Sequence, residues 1–442
     1  MKKSEVIVIG AGMAGLAAST ALARADVAVT ILEARNRIGG RVFTLRDPSS
    51  GHPIELGAEF IHGLPNEILQ PLKKGKIPVT EVRGDSWCKE GDLLPCSFFG
   101  QVEQILDKMD DRAADESFTD FLRKLPASID DAAKQHALRF VSGFNAADPH
   151  LVGVHWLVRS QRAEQQIEGD RAFRATGGYA ELLAMLQREM GSTSSRLLTG
   201  TVVSEISWSR GRVQIRAQKD GKRFGYEAPR VLVTLPLAVL KASTGSEGAI
   251  QFTPDLPKSK LDALDRLEMG RVVRLVLRFR GRFWDEIQPT EGEAKTLANL
   301  GFLFSEDPWF PTWWTSMPEK FPALTGWAPF DCADRLSGQS HSQVVNRGLE
   351  TLSRLFGLDT ATLQRNLEDG YCHDWQGDPF SRGAYSYGKV GADGAHEALG
   401  SPLENTVFFA GEATDVTGNN GTVHGAMASG FRAASEILQG LG

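Results

Sequence analysis

Val6 to Ile9 is a short apolar run rich in β-branched residues that stops at Gly10, which predicts a strand buried on both faces and feeding a tight turn. The Ala-rich stretch from about Met13 to Arg24 predicts a helix, and Ala28 to Leu32 a second strand ending at Glu33. A loop-rich segment runs to about Pro78. Helices are predicted from about Phe98 to Gln165, broken near Pro126 and Asp148-Pro149, and another from Tyr179 to Met190 after Gly177 and Gly178. Val202 to Trp208, Arg212 to Ala217 and Arg230 to Leu235 predict a meander ended by Pro236. The alternation in Val272 to Phe279 suits a strand of a second sheet, a helix is predicted near Ser342 to Phe356, and strand character returns at Val407.

Glycine spacing adds chemistry to this pattern. Gly10, Gly12 and Gly15 fall at GxGxxG spacing between the first strand and the first helix. The first permits the turn, the second lets backbone approach a pyrophosphate, and the third lets the helix lie close on the strand. Free N–H groups and the positive dipole end at Met13 and Ala14 suit phosphate. Glu33, 18 residues past Gly15, is placed to accept ribose hydroxyls, with Ala34 beside it. The uncharged stretch Val6 to Ala23 is long enough to suggest a membrane span, but it is Ala/Gly-rich and broken by these glycines, so no membrane segment or signal sequence is expected.

A chain of 442 residues is long for one core, and two domains are expected. The formal charge of −6 argues against nucleic acid as the main partner and mildly favours a cationic substrate. Cys88, Cys96, Cys332 and Cys372 show no metal-site spacing, so reduced structural thiols, no metal and a cytoplasmic location are expected. The six carboxylates between Asp107 and Asp120 read as a solvated helix face. Trp309, Phe310, Trp313, Trp314 and Trp327 suit either a cavity lining or core packing.

Six segments carry a resemblance: GAGMAGL at 10–16, EARNRIGGR at 33–41, ELGAEFIHG at 55–63, VLVTLPLAVL at 231–240, DWQGDPFSRGAYSY at 374–387 and FFAGEATDVTGNNGTVHGAMASG at 408–430. In this order they resemble the flavin-containing amine oxidase family, nearest to polyamine and spermine oxidases. The resemblance implies an α/β fold in which a Rossmann-type FAD-binding domain (1–80, 171–240 and 366–442) is interleaved with an α+β substrate domain (81–170 and 241–365), its mixed sheet flanked by helices. It implies FAD as cofactor. Arg41, after Gly39 and Gly40, would lie at the pyrophosphate and Arg35 near the adenine end. Gly57, Ala58, Glu59 and Phe60 would pass close to the isoalloxazine, Val203 would meet adenine through its backbone, Glu412 would bind the ribityl or pyrophosphate region, and Thr422 and Val423 would start a helix facing the flavin pyrimidine.

The implied reaction is hydride transfer from the carbon beside an amine nitrogen to flavin N5, giving imine or aldehyde and hydrogen peroxide, with oxygen as second substrate. Tyr385 occupies the aromatic-cage position and Trp375 another position near the flavin. His62 stands where spermine and acetylpolyamine oxidases carry histidine. Thr422 replaces the second cage tyrosine of monoamine oxidases, which implies a more open cage. Ala384 replaces their FAD-tethering cysteine, so FAD is expected to bind noncovalently. Arg274 falls where most of the family has a lysine holding water at N5, leaving open a working oxidase or a dehydrogenase using another acceptor. An L-amino-acid oxidase, with Arg159, Arg162 or Arg174 holding a carboxylate, a flavin desaturase and a non-catalytic FAD-stabilised scaffold are the other readings. The chain lacks the helical insertion of the histone demethylases, so a chromatin role is not expected.

Overall fold

The computed structural model describes residues 2–3, 5–191, 195–289 and 296–441. Its nucleotide-binding half is built on a parallel sheet with strand order Arg196–Leu198, Val29–Leu32, Val6–Ile9, Arg230–Val233 and Val407–Phe409. Val6 to Ile9 are almost wholly buried because helices cover one face and a second sheet the other. Helix Met13–Arg24 lies between that sheet and the C-terminal helix Val423–Gln439, and their small residues permit close approach. A Cβ on Gly15 would stand 2.1 Å from the Gly10 carbonyl oxygen, and one on Gly430 2.3 Å from that of Ala14.

The expected meander is corrected in two ways. Its third strand is Lys222–Ala228, which pairs with Arg212–Lys219, while Arg230–Val233 belongs to the parallel sheet. Lys222–Ala228 escapes sequence reading because its first four residues are exposed and show no apolar alternation. The second half carries a seven-stranded mixed sheet ordered Leu367–Asp374, Val272–Phe279, Ala323–Pro329, Thr312–Thr315, Leu300–Ser305, Asp85–Glu90 and Asp92–Pro95. All eight residues of Val272–Phe279 are buried, arginines included, so its apparent alternation does not mark a wet face.

Sheet pairing also moves two expected domain boundaries. Leu367–Asp374 sits in the seven-stranded sheet although 366–442 was assigned to the cofactor half. Gln251–Thr253 and helix Lys258–Arg266 pack with the nucleotide-binding core, although 241–365 was assigned to the substrate half. Helices Phe98–Leu106, Phe118–Lys124, Asp131–Gly143 and Val154–Gln166 fill the predicted helical tract.

The acidic stretch is not a helix face. Residues 107–117 form turns and loop, where Asp115 accepts backbone N–H groups from His155 and Gly391 (3.0 and 2.7 Å) and Asp111 pairs with Arg162. Carboxylates here close loop backbone instead of decorating a helix.

The thiol expectation is corrected as well. Cys88 and Cys96 form a disulfide across the hairpin Asp85–Glu90/Asp92–Pro95, with Cα atoms 5.7 Å apart, leaving Cys332 and Cys372 free. The argument for a reducing compartment thereby loses its basis. Replacing Cys88 and Cys96 together by serine is expected to lower stability by about 2–3 kcal/mol, the loop-closure value for so short a ring. Urea unfolding with and without reductant measures it, and equal midpoints would refute it. Among the described residues no helix is long and apolar enough to cross a membrane, and no cluster could hold a metal ion.

Candidate functional site

The two halves enclose a cavity of about 1010 Å3. Its walls include all the sequence-derived site residues except Gly15, which lies behind the phosphate turn: Gly10, Gly12, Met13, Ala14, Glu33, Ala34, Arg35, Gly40, Arg41, Gly57, Ala58, Glu59, Phe60, His62, Val203, Arg274, Trp375, Tyr385, Glu412, Thr422 and Val423. So large a space exceeds what a small amine fills and matches a dinucleotide with room beyond it.

The nucleotide end fits FAD on local grounds. Helix Met13–Arg24 starts at Gly12 with no side-chain cap, and a Cβ on Gly12 would meet no protein atom within 4 Å, so bare backbone faces open cavity. Glu33 is buried and accepts N–H from Ala11 (2.7 Å) and Arg35 (2.9 Å), leaving lone pairs for ribose hydroxyls. Arg35 is held by Asp378 and Ser381 and lies over Phe380. Val203 lines the wall where strand register shifts between Val203 and Glu205. Arg41 donates from one Nη to Glu412 and to the Ala384 carbonyl, both 2.8 Å. Glu412 also accepts from the Ser386 hydroxyl (2.6 Å) and Gly421 N–H (2.9 Å). Burial alone would push its carboxyl up, but Arg41 and Ser386 hold it below the usual range.

At the far end the wall is aromatic: Phe60, Phe302, Trp314, Trp327 and Tyr385. Phe310 and Trp313 are core residues, so the tryptophan-rich cluster divides between lining and packing. Tyr385 donates its hydroxyl to the Phe144 carbonyl, and burial raises its pKa. Trp375 is fixed by its indole N–H to the Leu56 carbonyl at 2.8 Å. The Thr422 hydroxyl accepts from Gly425 N–H (2.9 Å) and donates to the Asn419 carbonyl (2.7 Å). It is therefore a helix cap that also lines the cavity wall. The His62 side chain opens onto the cavity, makes no hydrogen bond among the described residues, and is pushed below its usual pKa by the desolvating protein around it.

Arg274 occupies the strand position expected for the N5 lysine, but its charge is matched within the protein. It ion-pairs with Glu59, donates to the Gly57 carbonyl at 3.0 Å and lies 5.1 Å from the Trp314 ring. Glu59 also accepts from Arg174 Nε (2.6 Å) and Trp314 Nε1 (3.0 Å). Burial would raise the Glu59 carboxyl, yet the two arginines hold it at about 2. Arg174 and Arg274 thus grip one carboxylate beneath the backbone expected to meet the flavin.

Two cavity residues escaped sequence reading. His424 faces His62 and is driven down to about 3 by burial and by that neighbour. Glu164, on helix Val154–Gln166, lines the cavity with its side chain exposed to that open space and without a side-chain partner among the described residues, and the surrounding protein pushes its carboxyl up to about 7. The histidine follows Thr422 within a recognised motif and could have been singled out; nothing local marks Glu164. Arg159 and Arg162 pair with Asp393 and Asp111, and Arg174 with Glu59, so none of the three stands free to hold a substrate carboxylate.

Comparison with known proteins places this geometry. Wild-type putrescine oxidase bound to putrescine superposes with a TM-score of 0.79 at 20% identity, over 99% of both chains. Cyclohexylamine oxidase from Brevibacterium oxydans does so at 0.78 and 20%, again over 99% of both. In sequence, lysine-specific histone demethylase 1 homolog 2 of Arabidopsis thaliana is 28% identical over 99% of this chain, and probable polyamine oxidase 4 of the same plant 27% over 97% of this chain and 86% of its own. The chain spans 30–58% of the length of three plant histone demethylases that it matches. The profile of the flavin containing amine oxidoreductases matches residues 13–91 and 100–438, and the chain belongs to that family.

Proposed function

We propose that the protein oxidises an aliphatic amine that carries a second positive charge, a polyamine or a compound like it, using noncovalent FAD, with oxygen as acceptor and hydrogen peroxide as product. The observation that supports this reading best is Glu164, a carboxylate without a side-chain partner among the described residues, in the same cavity as the aromatic wall of Phe60, Phe302, Trp314, Trp327 and Tyr385. Bound FAD supplies the two-electron acceptor next to the substrate carbon. The chain supplies geometry and desolvation. Tyr385, its hydroxyl fixed on Phe144, offers a ring, and the surrounding rings disfavour an ammonium, so the reacting nitrogen sits there neutral. His62, kept neutral by burial, can hydrogen-bond a substrate nitrogen, and Glu164 can receive the remote ammonium.

Glu164→Gln is expected to raise KM for a diamine roughly ten-fold, the value of one charge-assisted hydrogen bond, and to leave a monoamine of equal length little affected. With its pKa near 7, Glu164 is neutral at lower pH. Diamine KM should therefore rise as pH falls below 7 in the wild type and stay flat in the variant. Peroxide and anaerobic flavin-reduction assays against putrescine, spermidine, spermine and monoamines decide the matter; no flavin reduction by any amine would overturn the proposal.

A methylated lysine side chain in a peptide is a second reading, favoured by the similarity to histone demethylases. Flavin reduction by methylated peptides but not by free polyamines would select it.

A further inference from the structure

A second, smaller cavity of about 60 Å3 lies against the same partition. Glu59 and Arg274 line both spaces, so their ion pair is the wall between them. On the far side the small cavity is walled by Glu55, Arg174 and Gly178, and at its rim by His52 and Glu319. The Glu319 side chain is half-exposed, so this end borders solvent. At 10–15 Å3 for each water, the space holds roughly four. Arg274 Nε is buried with no partner among the described residues, which is where an internal water is expected. Gly178 keeps the space open: its φ is +77°, and a Cβ there would stand 2.5 Å from the Glu55 carboxylate.

Resting on the flavin oxidase reading above, we propose that this cavity is a hydrated proton site serving the flavin side of the wall, with Glu55 as its proton-carrying group and Arg274 positioning the water that Glu55 exchanges with. Glu55 accepts from Tyr179 N–H (2.7 Å) and the Thr44 hydroxyl (2.8 Å), so it is fixed in place in either protonation state. Arg274 and Glu59 are the charged groups that face it, with Arg174, His52 and Glu319 around the rest of the cavity. Burial, opposed by the two hydrogen bonds and by Arg274, raises its carboxyl to about 7, so it both holds and releases a proton near neutrality.

The balance requires a proton that such a group can supply. Reducing dioxygen to hydrogen peroxide takes two electrons and two protons. One proton would leave the reduced cofactor with the electrons, and Glu55 would supply the other, handed to water at the Glu59–Arg274 partition and recovered from solvent past Glu319.

The experiment uses FAD-loaded Glu55→Gln. Stopped-flow reoxidation by oxygen is expected to slow roughly 10- to 100-fold relative to anaerobic reduction by amine, and the break in its pH profile near 7 to disappear. Infrared difference spectra of the resting protein should show a protonated carboxyl band that titrates near neutrality and is absent in the variant. Thr44→Val, which removes a donor to the charged form, should move both band and break to higher pH, and it serves as the test if Glu55→Gln does not fold. A wild type without that band, or variants that keep the wild-type break and rate ratio, would overturn the proposal. Failure of every amine to reduce the flavin would instead remove the oxidase reading, with the infrared band still deciding whether Glu55 titrates.

Discussion

Replacing Glu59 by leucine is expected to destabilise the protein by about 3–5 kcal/mol, the effect of stranding a buried ionic partner. Three donors converge on this carboxylate: Arg174, Arg274 and the Trp314 indole. Leucine is of similar size, so the loss comes from two arginines left without a counter-charge and not from a void. A typical domain has only about 5–15 kcal/mol in total, so the variant should unfold at much lower urea. Glu59→Leu combined with Arg274→Met should recover part of the loss, because the double change removes charge from both sides. The pH dependence has a definite sign. Glu59 has a folded pKa of about 2 against 4.5 ordinarily, so its contribution is complete above pH 4.5 and disappears as pH falls toward 2. Urea midpoints of the single and double variants across acid pH provide the check. A single variant as stable as wild type would mean that the cluster does not hold the halves together.

Gly57→Ala is expected to yield protein that does not retain flavin. A Cβ there would stand 1.9 Å from the Arg41 carbonyl oxygen and 3.1 Å from the Trp375 ring, so backbone must move. That movement pulls on the carbonyl that anchors Arg274 and on the turn carrying Arg41. Overpacking of this kind costs about 1–3 kcal/mol, and even the low end corresponds to several-fold weaker cofactor binding. Gly12→Ala gives the contrast. Its Cβ meets no protein atom, so the chain should fold with unchanged thermal stability in the flavin-free form yet lose the cofactor, because the methyl enters the phosphate cradle. Flavin absorbance per protein after gel filtration, with melting of the flavin-free proteins, separates the two outcomes. Retained yellow colour in Gly57→Ala would show that the segment tolerates displacement.

These residues also show what a linear reading reaches. Gly10, Gly12 and Gly15 are legible because their task is local: turn, backbone approach and helix packing all lie within six positions of one strand. Helix Met13–Arg24 follows from its alanine-rich composition after the glycine turn, and strand Val272–Phe279 from its β-branched and apolar residues, although its alternation marks no wet face. Glu59 was placed near the cofactor, but its grip on Arg174 and Arg274 depends on elements that meet only in three dimensions. Glu164 carries no mark in sequence because only the fold brings helix Val154–Gln166 to the cavity wall. The Cys88–Cys96 pairing was missed because absence of metal spacing was read as absence of bonding, when the short hairpin between the two cysteines was the relevant signal. Arg230–Val233 was joined to its neighbours in sequence, while its hydrogen bonds go to strands at the two ends of the chain.

That last pairing governs how the protein is made. Val6–Ile9 can pair early with Val29–Leu32, but the sheet is not closed until Val407–Phe409 has left the ribosome, and helix Val423–Gln439 covers the first helix later still. Until then the face of helix Met13–Arg24 that Val423–Gln439 covers stands bare, a long-range topology that folds slowly and exposes aggregation-prone surface. Chaperone dependence should accordingly fall on helix Met13–Arg24 until helix Val423–Gln439 has been made.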